Sequence, residues 1–472
     1  MILSVTTLAS FLTGFNARLA VVGLPTIAGD IKADIWSMVW IIQGFMLGST
    51  VFQLIIGRLS DLYGRVKLFL LGIVIFTAGA LLSGLSFVPK MLIIARVVQG
   101  TGGAILMSLS ITILTDNVPP HRLATWLGVN QVAWRVGALL GLTLSGFIID
   151  ALGWQWIFLV QVPMGIAILL WSRNRLKEFY IPKEGKKLDT WGFALFTVSL
   201  TLALVALTMF GYGYRDTSIF LLTVSLVSLA FFVIVELKHE APALDLRLFG
   251  IWQFTGGIIA QFLYSIGFGA SLTLLAIYMQ SVLGYSPSYT GMLLVPYEVS
   301  FLIFGLVGGR LSDKIGYAPV TIAGLSSGAF ALFLLSRFST IAPIVAAEVI
   351  LGVGTGLFVS PNTSSVMTAV SPQRRGVASS IRNVSFNVGF VLSLNLAILT
   401  MTQVLPYNVA SHLIILGGYN PGDSLINVEL SELGAAIRHS FIVQAILMAL
   451  AIPFSLSRIG RRAHPSEKGK SG

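Results

Sequence analysis

Six ionisable residues stand inside stretches apolar enough to cross a bilayer: Arg18, Arg96, Arg135, Arg382, Glu298 and Glu348. Charge at that depth costs at least about 2.5 kcal/mol on insertion scales, so each is a candidate for solute binding, proton transfer or a buried ion pair. Glu298 and Glu348 are the acids placed to carry a proton. Glu298 is the first choice, in Val295-Pro296-Tyr297-Glu298, and a fixed pair with one arginine is the competing reading. Pro296 has no backbone N–H, which leaves the carbonyl four residues earlier open to polar ligands or water. The arginines come with amides. Gln131 and Arg135 are four apart and share a helix face, as do Asn383 and Asn387 beside Arg382. Asn16 and Arg18 lie about 200° apart on a helix, so only one faces a central cavity, and Arg18 would be the costlier to leave in lipid. The expected cavity set is therefore Arg18, Asn130, Gln131, Arg135, Arg382, Asn383 and Asn387, with a positive field that favours anionic or electron-rich groups. Arg96 has two readings, a coupling role or a structural hydrogen-bonded arginine.

No other chemistry is supported by residue type and spacing. The five histidines show no i, i+4 metal pairing, and the glycine runs lack the Gly-Lys-Ser/Thr of a phosphate loop. No metal, cofactor or enzymatic activity is expected. The absence of cysteine excludes disulfides and thiolate sites.

The elements that must position these residues are membrane helices. At 55% hydrophobic and 10% charged residues, with mean hydropathy +0.87, the 472-residue chain is too apolar for soluble domains. It reads as an all-α polytopic membrane protein, its runs being long enough for helices, with no ten-residue barrel alternation. Fourteen spans are expected, beginning near Ile2, Trp36, Leu68, Met91, Leu123, Trp156, Trp191, Ile219, Phe254, Thr290, Pro319, Ile344, Gly376 and Phe441. The first reads as a span rather than a cleaved leader, because it lacks a basic start. They divide into a six-helix half (1–173), a basic linker with two inserted helices and an interfacial segment (174–250), and a second six-helix half (251–472). The last holds an external loop (403–438) and a basic tail. Of the 30 lysines and arginines, 21 fall in loops on one side and 5 on the other, Lys32, Lys90, Arg215, Arg337 and Arg438. The rich side, with both termini, is expected to be cytoplasmic and the membrane to be the plasma membrane. The net charge of +11 is explained by these loops, and no nucleic acid partner is expected.

A charged, glycine-bracketed loop, Gly57-Arg-Leu-Ser-Asp-Leu-Tyr-Gly-Arg-Val-Lys67, returns in part as Gly309-Arg-Leu-Ser-Asp313. Arg58 and Arg310, like Asp61 and Asp313, are 252 residues apart. The same offset aligns Arg96, Gly100 and Gly102 with Glu348, Gly352 and Gly354, and Asn130 with Arg382. Repeats of this kind predict two parallel halves with a site at their interface. Gly57, Arg58, Asp61, Gly64 and Arg65 resemble the signature loop between helices 2 and 3 of the major facilitator superfamily. Arg96, Gln99-Gly100 and Gly102 look like the helix 4 motif of its drug:proton antiporters, and Gly23-Leu-Pro-Thr-Ile-Ala-Gly-Asp30 like their helix 1 ending. With the two inserted spans, nearly the whole chain resembles the fourteen-helix group. It departs from that group at Asn16, where an acid is common, and at Leu142, where a proline follows Gly141.

The resemblance implies a major facilitator fold and a conformational motif made of Gly57, Arg58, Asp61, Gly64, Arg65, Arg96, Gly100, Arg310 and Asp313. It also implies alternating access, with proton-coupled efflux of amphipathic small molecules. An exporter or flippase of an anionic solute or lipid, and a non-transporting membrane receptor, are the alternatives. The expected partners are a small-molecule substrate, protons and the lipid bilayer, and a monomer is favoured.

Overall fold

The computed structural model describes residues 2–459 except 119, 174, 177, 179–188, 239–243, 245, 372–373, 407–408, 410–412 and 415–423. Side chains at 54, 57, 58, 61, 115, 116, 120–125 and 424–429 also lie outside the description, and with them the expectations for Gly57, Arg58 and Asp61. Every regular element among the described residues is helical. A lone segment in hydrocarbon can satisfy its own backbone only as a helix.

The helices are α1 (Ile2–Asp30), α2 (Ile35–Tyr63), α3 (Arg65–Gly84), α4 (Pro89–Asn117), α5 (Pro120–Leu152), α6 (Gln155–Leu159), α7 (Gln161–Arg173), α8 (Thr190–Gly211) and α9 (Arg215–Lys238). After a 3-10 turn (Leu246–Gly250) come α10 (Trp252–Phe268), α11 (Ser271–Ile277), a π turn (Tyr278–Val282), α12 (Pro287–Leu293) and α13 (Val295–Ile315). The chain continues as α14 (Tyr317–Leu335), α15 (Ile341–Thr368), α16 (Arg375–Met401), α17 (Ser424–Ala449) and α18 (Ile452–Leu456). Fourteen stretches among them are long and apolar enough to cross a membrane.

Two spans are interrupted. The ninth breaks after Phe268 and ends in the π turn. The tenth breaks at Leu294, two residues before Pro296, which has no N–H to offer the Met292 carbonyl; the Leu294 N–H closes the turn on Thr290 instead, at 3.2 Å.

Two boundaries differ from expectation. The expected external loop 403–438 is shorter, because α17 begins at Ser424. Leu430, Leu433, Ile437 and Phe441 recur at helical spacing and are buried, while Ser431 and Glu432 on the other side are exposed. Likewise α9 runs on to Lys238 and buries Glu236, in a stretch, 236–250, expected to be the interfacial segment.

Contacts divide the chain into two compact units. The first comprises Met1–Ala243, Leu272–Val295 and Ile398–Ile437, and so includes α11 and α12 from the later repeat. In it α1 packs along α5, and α4 lies against both α2 and α3. Lipid tails are as apolar as leucine, so close backbone approach, rather than hydrophobic burial, holds such helices together. No Cβ fits at Gly137 or Gly141, which meet the carbonyl oxygens of Phe11 and Phe15 on α1. The inserted hairpin α8–α9 is tied by reciprocal bonds: the Ser199 hydroxyl donates to the Ser225 carbonyl (3.0 Å) and the Ser225 hydroxyl to the Ser199 carbonyl (2.8 Å). It docks on α2 through Trp36 and Tyr212, rings 4.7 Å apart, and Phe52 and Phe193, 5.8 Å apart. The Tyr212 hydroxyl also donates to Asp34, whose other oxygen caps α2 at the Ser37 N–H.

The second unit comprises Leu244–Ser271, Pro296–Ala397 and Arg438–Gly472. Here α15 is the central helix, packed on α14 and α10, with α18 against α10 and α14.

Candidate functional site

Arg96, on α4, is 3% exposed and bonded through Nε and Nη1. Its Nη1 donates to Asn16 Oδ1 (2.9 Å) and Gln99 Oε1 (2.5 Å), and its Nε to the Ile41 carbonyl (3.3 Å). The guanidinium lies over Phe45 at 4.6 Å and Phe158 at 5.4 Å. Gln99 Nε2 then donates to Gln161 Oε1 (3.2 Å), and Gln161 Nε2 to the Ile157 carbonyl (3.1 Å). Every acceptor is a neutral oxygen. The network therefore joins α1, α2, α4 and α7 around a permanent cation, and Asn16 Nδ2 is left buried without a hydrogen-bond partner. Arg96→Ala would orphan three acceptors at about 1–3 kcal/mol each. A loss of about 3 kcal/mol or more is expected, seen as a large drop in thermal stability of the purified protein, whereas Asn16→Ala should cost much less. Equal stability of Arg96→Ala and wild type would show the network to be slack.

The 252-residue offset reappears in the contacts. Gly100 meets the Phe45 carbonyl and Gly352 the Tyr297 carbonyl, and those two partners are themselves 252 apart. Gly102 meets the Phe76 nitrogen and Gly354 the Gly328 nitrogen, again at that offset. Gly64 and Gly316 close the equivalent junctions α2–α3 and α13–α14 with φ of 94° and 88°, a backbone that only glycine adopts freely. Glu178 caps the first junction, its Oε2 accepting from the Val66 N–H (2.8 Å) and more distantly from Lys67 (3.4 Å). Arg65 is half-buried, and Arg310 and Asp313 are exposed.

In the second unit the residue at the Arg96 position is Glu348, 0% exposed. Neither carboxyl oxygen has a hydrogen-bond partner among the described residues. Gly352, one turn along α15, touches the Tyr297 carbonyl, and Tyr297 stacks on Phe268 (5.6 Å), which stacks on Tyr264 (5.5 Å). Glu298 is also buried, at the start of α13. Arg382 is half-buried on α16; its Nη2 donates to Asn383 Oδ1 (2.6 Å) while its Nε is buried without a partner. Asn383 and Asn387 are half-buried as well. In the first unit Arg18 and Arg135 are half-buried, Gln131 is exposed, and Asn130 is 3% exposed with neither side-chain polar atom bonded. The described residues hold no cluster of metal-ligating side chains.

The Major Facilitator Superfamily profile matches residues 6–256 and 257–472. The chain belongs to the major facilitator superfamily. Its fourteen spans fit the fourteen-helix drug:proton antiporter group. It is 29% identical over 397 residues to the riboflavin transporter RibZ of Clostridioides difficile, covering 82% of this chain and 86% of that one. It is 29% identical over 386 residues to the multidrug transporter protein MdtP of Bacillus subtilis, covering 79% and 70%. Its fold matches a bacterial homologue of the human lysosomal transporter Spinster, with TM-score 0.68 at 17% identity over 97% of this chain and 96% of that one. The protein is a multi-span membrane transporter of this superfamily with two six-helix halves and two added helices.

Two parts of this major facilitator protein escaped the sequence reading. The first is a seam in the first unit, where α12 packs on α5 and α1 and the π turn reaches α1. Gln280 Nε2 donates to the Val22 carbonyl (2.8 Å), the Ser288 N–H to Asp150 Oδ2 (3.0 Å), and Gly146 meets the Pro287 carbonyl. Small residues on facing helices were the available signal. The second is Arg458, counted as part of the solvated tail but 5% exposed. Its Nη1 donates to Asn362 Oδ1 (2.9 Å) and Ser365 Oγ (3.3 Å), and its Nη2 to Ser455 Oγ (3.0 Å). Asn362 Nδ2 in turn donates to the Gly257 carbonyl (3.1 Å), so α10, α15 and α18 meet at one node beside Pro361. The Gly256-Gly257 pair leaves room for the arginine stem.

Proposed function

We propose that the protein is a secondary transporter that exports amphipathic small molecules in exchange for protons, by alternating access, in the plasma membrane with both termini cytoplasmic. The observation that carries the coupling is Glu348. Burying a carboxylate with no donor on either oxygen among the described residues is costly, so the enclosed group keeps its proton and releases it when the cycle opens it to water. Glu298 is the second candidate carrier. At the Arg96 position of the repeat no acid takes this part, because the partners of Arg96 among the described residues are neutral and Asn16 cannot titrate. The multidrug name of MdtP supports an amphipathic substrate. The seam of the π turn and α12 on α1 and α5 is proposed as the outer closure that must part for release, and its polar bonds each join one side chain to one backbone group, suited to reversible opening. The division into 1–173, 174–250 and 251–472 is retained as the unit of repeat, and the functional form as a monomer.

Vesicles with the purified protein and an imposed pH gradient test this with a panel of ethidium, rhodamine 6G and fluorescein. Accumulation of at least one dye that collapses when the gradient is dissipated is expected. Dye movement that ignores the pH gradient would remove the coupling.

A further inference from the structure

We propose that the transported class is an organic anion, a carboxylate, sulfonate or phosphate carried on an apolar body, and that Arg382 is the residue that meets its charge. This rests on the transporter reading above and narrows it. Interior charge in the spanning helices is the starting point. In α1 to α7 the acids Asp30, Asp61, Asp116 and Asp150 all stand within two residues of a helix end, whereas Arg18, Arg96 and Arg135 stand well inside. Arg96 is held by neutral oxygens alone, and Asn16 occupies the place where a carboxylate would have balanced it.

The second unit has buried acids as well as arginines, Glu298 and Glu348 with Arg382 and Arg458, and of these Arg382 is in a form open to a ligand. Arg382 lies seven residues inside α16, and its only hydrogen bond among the described residues goes to the neutral Asn383 side chain. Its Nε is buried and unpaired, so one edge of the guanidinium keeps a donor to offer. Asn383 gives its oxygen to the arginine and so retains its NH2 for a ligand, and Asn387 follows four residues on, on the same face. A guanidinium fork flanked by amide donors is the geometry that carboxylate, sulfonate and phosphate oxygens satisfy, and a cation satisfies none of it. Half-buried rather than sealed, Arg382 is reachable where Arg96 is not. The two arginines therefore have different tasks: Arg96 ties the helices of the first unit together, and Arg382 makes contact.

Equilibrium binding to the protein in nanodiscs tests this without any gradient, so a failure of proton coupling leaves the result readable. Fluorescein, an anion, and rhodamine 123, a cation on the same xanthene skeleton, are the probes. Fluorescein is expected to bind at least about tenfold tighter. Arg382→Gln should remove about tenfold of that preference, and Arg382→Lys should restore part of it by keeping charge without the fork. Overturning results are rhodamine 123 bound as tightly as fluorescein, no measurable fluorescein binding, or a fluorescein affinity unchanged in Arg382→Gln.

Discussion

With Glu348 replaced by glutamine, dye accumulation driven by a pH gradient is expected to fall at least about tenfold while equilibrium dye binding persists. Glutamine keeps the shape of a protonated glutamate and cannot release a proton, so it mimics one half of the cycle. The fold should survive, because Glu348 makes no hydrogen bond among the described residues that the change would break. That separates a proton carrier from a structural ion pair, since breaking a buried pair strands its partner charge and costs about 3–5 kcal/mol. Full gradient-driven transport by a well-folded Glu348→Gln protein would move the carrier role to Glu298.

The second large effect concerns the seam of α5 and α12. A Cβ built on Gly291 lies 3.7 Å from the Thr143 Cα, so cysteines at 143 and 291 are within disulfide reach. The chain has no cysteine of its own, which leaves no competing thiol. Oxidation of the Thr143→Cys, Gly291→Cys protein is expected to abolish transport almost completely, and a reductant to restore it. Transport that continues with the cross-link fully formed would mean that this seam does not open during the cycle.

Much of the architecture could be read from residue order because its determinants are local. Runs of about 20 apolar residues admit only helices in lipid, and the repeat was visible as Gly-Arg-Leu-Ser-Asp occurring twice. The offset even anticipated partners, since Gly100 with Phe45 and Gly352 with Tyr297 make the same contact in each unit. Individual side chains were less legible. Helical phase separated Asn16 from Arg18, and the structure buries Asn16 on Arg96 while leaving Arg18 half-buried. Phase could not say that Gln99 and Gln161 complete that network, because their meeting joins helices 62 residues apart. Arg458 was missed for a related reason: a basic residue after the last apolar run looks like tail, and only the tertiary approach of Asn362 and Gly257 makes it interior. The start of α17 was missed because Ser431 and Glu432 on its outer face interrupt the apolar run and hide a buried stripe of Leu430, Leu433 and Ile437.

Proton movement triggered by solute tests the central claim most directly. Wild-type protein and Glu348→Gln protein would be placed in vesicles holding trapped pyranine, with no imposed gradient, and challenged with fluorescein, rhodamine 6G and ethidium in turn. Exchange through Glu348 predicts a change in internal pH on addition of a transported dye to wild-type vesicles, opposite in direction to dye flux, and none in the Glu348→Gln vesicles. Dye transport without any pH change in the wild type, or an equal change in both proteins, would contradict it.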